Sequence, residues 1–305
     1  MSKVAVIGLG PVGATIASRI VQRGLVSQLV LIDLNEQKAK SEVLDLNDAS
    51  SLLATYTRVS AGAYDDLAEV DVVILAFGNM QLSLETGNRF AELQGNAAAV
   101  KSITGELKRV GFKGKLLVAS NPNDILTQFF ASVAGLPYEH VIGTGCLLDC
   151  MRMKHYVGEV LGLDSKSIDG FVVGEHGPTQ VIAWSSVNVY GKSIFEYAKE
   201  MTINFDDLAK KIINGGFSVV AGKGYTNVAI AESTVHLLEA LLNDAKRVLS
   251  VTHYNKEHDI YISTPAIIGK NGVEGVVELK LNETEMSAFM TSVATIQQQK
   301  KQIED

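Results

Sequence analysis

The chain has 305 residues, 47% hydrophobic and 20% charged; this is enough for about two globular domains and unlike disordered, collagenous or coiled-coil chains. Its 27 Lys and Arg against 34 Asp and Glu leave a formal net charge of −7, which gives no general attraction to nucleic acid or anionic lipid. Two cysteines, Cys146 and Cys150, are too few for a disulfide framework. Together with the lack of a signal-type N-terminus or a spanning apolar run, they point to a cytoplasmic location and no membrane partner.

In chain order, short β-branched runs alternate with longer amphipathic stretches, the pattern of a parallel sheet covered by helices on both faces. Strands are predicted at residues 4–7, 29–32, 58–61, 70–75, 115–119 and 141–143. Between the first two, residues 11–22 put Val12, Ile16, Ile20 and Val21 on one helical face, and Gly24 is placed to end that helix. This is a βαβ unit, and the set of strands predicts a doubly wound α/β sheet that binds ligands at the carboxyl ends of its strands. After residue 144 the texture changes. A helix is predicted over 147–161, strands at 171–173 and 181–190, a long helix over 227–247, and strands near 248–251 and 261–268. The hairpin signal Asn271-Gly272 and a polar final helix complete the chain. The expected organisation is a nucleotide-binding domain over 1–144 and a mixed α+β catalytic domain over 145–305, with no linker between them and an active-site cleft at their interface.

Three constellations carry chemistry. Gly8-Leu9-Gly10-Pro11-Val12-Gly13 lies between a strand and a helix, where glycines permit a tight turn and close approach of backbone to a pyrophosphate at the helix N-terminus. On its own it reads equally as a glycine-rich turn. Asp33, 20 residues beyond Gly13, would accept the ribose hydroxyls of NAD in a Rossmann sheet and repel the 2′-phosphate of NADP, and no Arg follows it. In Gly174-Glu175-His176-Gly177 a histidine leaves an apolar strand between glycines; alone it fits a structural histidine. Asp149 and Arg152 stand three apart on one helix, which alone fits an ordinary ion pair. Together they offer an acid/base, a carboxylate to orient it and a guanidinium for an anionic substrate.

With residues 89–96, Ser120-Asn121-Pro122, Gly143-Thr144-Gly145 and Gly224-Tyr225-Thr226, this ordered set resembles the L-2-hydroxy acid dehydrogenases, the family of lactate and malate dehydrogenases, over essentially the whole chain. Phe77-Gly78-Asn79, residues 86–93, Gly216-Phe217 and residues 222–226 are most similar to the family's L-2-hydroxyisocaproate dehydrogenases. The resemblance implies NAD as cofactor, held by Gly8, Gly10, Gly13, Asp33, Asn121 and Ile230. It implies proton exchange by His176, orientation of the imidazole by Asp149, a two-pronged grip on the substrate carboxylate by Arg152, and polarisation of the carbonyl by Arg89. Asn121 would bond near the same oxygen, with a cis peptide at Pro122, and Thr226 and Ile230 would line the pocket.

In malate dehydrogenases the loop over 79–88 carries an arginine for a second carboxylate, and here it carries none. Met80, Leu82 and Leu84 offer apolar contact instead, so the expected substrates are 2-oxo acids with bulky apolar side chains; lactate dehydrogenase is the alternative, with Gln81 at a place where those enzymes often carry glutamine. Asp169, seven residues before His176, stands where relatives activated by fructose bisphosphate carry histidine, so no such activation is expected. Family members are homo-oligomers, dimer or tetramer, and Ala39, Val43 and Leu46 fit either a subunit interface or an internal core. Two remoter readings remain: an NAD-dependent, metal-assisted glycosidase using Cys146 and Cys150, and a non-catalytic NAD sensor. The cysteines lack zinc-type spacing, so no metal is expected, and a sensor has no need of His176, Asp149, Arg152 and Arg89 together.

Overall fold

A computed structural model describes residues 2–78 and 89–304, with the side chains of 89–95 and 302–304 outside the description. The first unit is β1 (Lys3–Ile7), α1 (Pro11–Arg23), β2 (Gln28–Ile32), α2 (Glu36–Ser50) and β3 (Arg58–Ala61). Pro11 opens α1, which buries Gly13, Ile16, Ala17, Ile20 and Val21. Gly24 then enters the left-handed region at φ 59° and returns its N–H to the Val21 carbonyl, so the helix stops where the sequence places a residue without a β-carbon. Along α2, Ala39 and Leu46 are buried in the core and Val43 packs against it, so that apolar face is internal.

The sheet continues through β4 (Val72–Leu75), α3 (Arg89–Arg109), β5 (Lys115–Val118), α4 (Asn123–Ala134) and β6 (Val141–Gly143). These strands pair in parallel in the order β3-β2-β1-β4-β5-β6. Val72, Val73, Ile74 and Leu75 are all buried, as expected of a strand covered on both faces. This strand starts two residues later than predicted, because Tyr64–Glu69 forms a short 3-10 helix that closes at Val70.

The second half holds α5 (Leu147–Leu161), β7 (Asp169–Val173), β8 (Val181–Val189), β9 (Lys192–Ser193), α6 (Ile194–Glu200), α7 (Phe205–Lys223) and α8 (Val228–Leu242). It ends with β10 (Arg247–Asn255), β11 (Ile260–Gly269), β12 (Gly272–Val276) and α9 (Glu283–Glu304). Strands β10, β11 and β12 extend the first sheet to nine strands by antiparallel pairing of β10 on β6, with Thr252 opposite Gly143. Gly143 has to lack a side chain there: a β-carbon would fall 2.4 Å from the Asn123 and Thr127 side-chain oxygens. Strands β7, β8 and β9 form a separate sheet, joined to the large one by a bridge between Gly174 and Ser263. The helix predicted over 227–247 ends at Leu242 instead, and Arg247 opens β10. Asp244 and Lys246 adopt φ 48° and 50°, a left-handed turn that no helix can pass through.

Candidate active site

At the carboxyl end of β1, Gly8 turns the chain with φ 91°, and a β-carbon there would lie 2.8 Å from the Ala76 carbonyl oxygen and the Phe77 backbone. A β-carbon on Gly13 would lie 1.8 Å from the Gly8 carbonyl oxygen, whereas one on Gly10 meets nothing within 4 Å. Two glycines thus let strand and helix approach, and the third leaves open space over the first turn of α1, where backbone N–H groups lack intrahelical partners. Asp33 follows β2 directly: Oδ2 accepts the Leu9 N–H at 2.7 Å and Oδ1 the Asn35 N–H at 2.9 Å. Each oxygen keeps a lone pair for a ribose hydroxyl, and the next side chain, Leu34, is 99% exposed and uncharged. This cradle fits the diphosphate and ribose of NAD.

The second cluster forms where α5 starts and β7 ends. Asp149, in the first turn of α5, is fully buried; Oδ2 is 2.7 Å from Nδ1 of His176 and Oδ1 2.7 Å from an Nη of Arg152. Gly174 bridges to Ser263 and releases the loop that carries His176. Burial alone would push the imidazole of His176 down, but the charge of Asp149 and its hydrogen bond outweigh that, and the net shift is upward. Burial likewise works to raise the Asp149 carboxyl, yet His176 and Arg152 together hold it below the ordinary carboxylate range. The unit is therefore a protonatable imidazole on an ionised carboxylate. Its Nδ1 is committed to Asp149, leaving Nε2 for a ligand, and 20% of the His176 side chain is exposed.

Arg152 also rests on α7. A β-carbon on Gly215 would fall 2.9 Å from its Cδ and 3.0 Å from its Nε, and one on Gly216 would lie 3.5 Å from Nη2. Asn121 follows β5, is exposed, joins Pro122 through a cis peptide bond, and accepts a hydrogen bond from Asn96 at its carbonyl. Thr226 and Ile230 are half-buried at the start of α8, where Asn227 donates to the Thr15 hydroxyl of α1 at 2.9 Å. That bond places the start of α8 beside the glycine cradle. Arg89 is the first residue of α3; its side chain, and residues 79–88 with Met80, Gln81, Leu82 and Leu84, lie outside the described residues.

Both cysteines are buried and free. Burial pushes the Cys146 thiol well above its usual range and Cys150 to about 12, and Cys150 accepts the Val172 N–H at 3.1 Å. They behave as packing groups rather than ligands. Among the described residues no group of three His, Cys, Asp or Glu side chains is arranged to hold a metal, and no helix is long and apolar enough to cross a membrane. Sequence reasoning missed Gly215, Asp124 and the contacts of Glu175. Gly215 carries no signal beyond its pairing with Gly216, and a lone Asp in a helical first turn reads as a capping charge.

A glycine-cradled dinucleotide site and a buried His–Asp–Arg cluster, on a fold whose sheet binds at its carboxyl ends, define an NAD-dependent oxidoreductase of 2-hydroxy acids. Residues 2–143 match the NAD binding domain of lactate/malate dehydrogenases and residues 146–305 their alpha/beta C-terminal domain, and the chain belongs to the lactate/malate dehydrogenase family. It is 37% identical over 300 residues to L-lactate dehydrogenase 3 of Bacillus anthracis, covering 95% of this chain and 94% of that one. The minor L-lactate dehydrogenase of Enterococcus mundtii, solved in a ligand-bound form, superposes with a TM-score of 0.93 at 34% identity, over 97% of this chain and 96% of that one. A lactate dehydrogenase from a Medee basin deep-sea metagenome gives a TM-score of 0.94 at 32% identity, over 100% and 99% of the two chains.

Proposed function

We propose that this dehydrogenase interconverts 2-oxo acids and L-2-hydroxy acids at the His176–Asp149–Arg152 cluster, with preference for bulky apolar side chains of the 2-oxoisocaproate type. The observation that carries the chemistry is the buried carboxylate shared, at 2.7 Å on each side, between an imidazole and a guanidinium. The size preference is supported by Met80, Leu82 and Leu84 in the 79–88 segment, while Gly215 and Gly216 make room for the Arg152 side chain against α7. The absence of an arginine from 79–88 argues against a second substrate carboxylate.

In this reading residues 1–144 bind NAD, through Gly8, Gly10, Gly13 and Asp33, and residues 145–305 carry the proton chemistry. The cofactor, when bound, supplies or receives the hydride. Arg152 would grip the substrate carboxylate through parallel N–H bonds and so hold the 2-carbon in one orientation. His176 as imidazolium donates the proton on Nε2 to the carbonyl oxygen, and in the oxidative direction the neutral ring takes it back. Asp149 fixes the tautomer and stabilises the charged ring. Arg89 polarises the carbonyl, Asn121 bonds near the same oxygen and the nicotinamide amide, and Thr226 and Ile230 border the pocket.

The test is NADH oxidation with pyruvate, 2-oxoisocaproate, phenylpyruvate and oxaloacetate at equal concentration. Highest kcat/KM is expected with 2-oxoisocaproate or phenylpyruvate. Pyruvate in first place supports the second reading, favoured by relatives named L-lactate dehydrogenase, and oxaloacetate in first place overturns the monocarboxylate reading.

A further inference from the structure

Asp124 is 2% exposed in the first turn of α4, and nothing in the reaction above uses it. Its Oδ2 accepts the main-chain N–H of His176 at 2.7 Å and its Oδ1 the Thr252 hydroxyl at 2.5 Å. The Thr252 hydroxyl also meets Ser263 Oγ at 3.0 Å, and Ser263 Oγ accepts the Cys146 N–H at 3.1 Å. One carboxylate therefore joins α4, the His176 loop, β10, β11 and the start of α5. Its neighbour Asn123 braces the same corner, donating to the Val118 and Ser120 carbonyls and accepting the Gly145 N–H.

A neutral acceptor would satisfy the His176 N–H at far lower desolvation cost than a buried carboxylate. What the carboxylate adds is charge. The groups that face the pair are Asp149 and Arg152 from α5, the Cys146 thiol just before it, Glu175 from the loop, and the uncharged Thr252 hydroxyl from β10. Glu175 is engaged elsewhere, with the Thr179 hydroxyl at 2.5 Å and the Gln299 amide at 3.1 Å. Burial raises the Asp124 carboxyl to about 6, against the lowering effects of the Thr252 hydroxyl, the His176 charge and the His176 N–H. Asp124 thus ionises in the range where the imidazole carries its proton, and each charge favours the other.

We propose that Asp124 is a positioning residue for His176: it clamps the main chain of the proton donor and, beside Asp149, supplies a second negative charge facing the imidazolium. This rests on the reading of His176 as the group that exchanges the proton. It also ties that group to α4, the helix that begins directly after Asn121-Pro122, so the proton donor and the proposed nicotinamide contact are held by one rigid corner.

Asp124→Asn tests the charge, because the amide oxygen still accepts the His176 N–H and the amide nitrogen can donate to Thr252. The readout is the titration of the His176 imidazole by NMR in the NAD+-bound protein, with the pH profile of kcat/KM for reduction beside it. The expected result is a midpoint lowered by about one unit, a roughly tenfold change in proton affinity, with the alkaline limb moving in step and NADH Kd within about twofold. A lower kcat with an unmoved imidazole midpoint would show ordinary structural support and overturn the proposal; so would no change in either. Thr252→Val is the second variant, and the only one needed if the amide fails to fold. Without the hydroxyl Asp124 holds its proton to higher pH, so the imidazole midpoint falls in the same direction by a smaller amount, and an unmoved midpoint again overturns the coupling. The NMR titration requires no turnover. A wild type inactive on every 2-oxo acid would therefore remove the functional reading and leave the charge coupling to be judged separately.

Discussion

Asp149→Asn keeps the volume of a fully buried side chain and removes one charge from between two cations. Both oxygens are acceptors in the wild type, 2.7 Å from Nδ1 of His176 and 2.7 Å from an Nη of Arg152, whereas an amide offers one acceptor and one donor group. If the amide nitrogen turns to His176, Nδ1 must become an acceptor and the imidazolium is disfavoured. If it turns to Arg152, N–H faces N–H and the guanidinium is displaced. A contact opposite charge is worth about 1–3 pKa units, and burial already pulls this imidazole down. A drop of about two units removes up to about 100-fold of the imidazolium population near neutral pH, or about 2.7 kcal/mol. With misorientation added, kcat for reduction should fall by about 10² to 10³, within the range for loss of general acid catalysis. The assay is steady-state NADH oxidation across pH with NADH affinity measured by fluorescence; the optimum should move toward acid and the affinity should hold. Stability carries a second signature. The folded pKa of Asp149 is depressed, so its contribution is present above the unfolded carboxylate value and is lost as pH falls through the folded one. The wild type should therefore lose its advantage over the variant in acid. A kcat within about threefold of wild type, with an unmoved profile, would refute the reasoning.

Arg152→Lys replaces a planar fork with a point charge; KM for 2-oxo acids should rise about 10- to 100-fold, the worth of one charge-assisted hydrogen bond of about 1.5–3 kcal/mol, with NADH affinity unmoved, and an unchanged KM would contradict the assignment. Gly216→Ala adds a β-carbon 3.5 Å from the Arg152 Nη2 inside α7. Thermal unfolding should show a gain of about 0.5–1 kcal/mol from the better helix former, while KM rises for every 2-oxo acid tested as the guanidinium is crowded; an unchanged KM would mean that α7 does not position Arg152. Ser292→Ala removes a buried hydroxyl that accepts the Glu175 N–H at 2.5 Å and meets the Thr179 hydroxyl at 3.2 Å. Denaturant unfolding should show a loss of about 1–3 kcal/mol and kinetics a lower kcat with NADH affinity intact, and wild-type values on both counts would dismiss the contact.

The parallel half was legible because its information is local. Val72 to Leu75 are apolar for the same reason that they are buried on both faces, and Pro11 and Gly24 mark the ends of α1 through their own backbone preferences. The addition of β10 to β6 was not legible, since it depends on Thr252 meeting Gly143, a pairing that only tertiary packing determines. The break after Leu242 was missed for a similar reason: Lys246 has no sequence preference for φ 50° and is held by its ion pairs to Asp244 and Glu274. In the site, Asp149, Arg152 and His176 stood out because imidazole, carboxylate and guanidinium together suggest a reaction. Asp124 acts through a bond to backbone across 52 positions, which residue type does not announce.

The anchoring of the His176 loop by α9 gives the enzyme an order of assembly. Glu175 donates its N–H to Ser292, 117 positions later, and its carboxylate is held by Gln299. During translation the apolar faces of α1 and β1 wait for Val235 and Leu238 of α8 and for β10 and β11, and the His176 loop waits longer still, for Ser292 and Gln299, so turnover should appear only when nearly the whole chain has emerged.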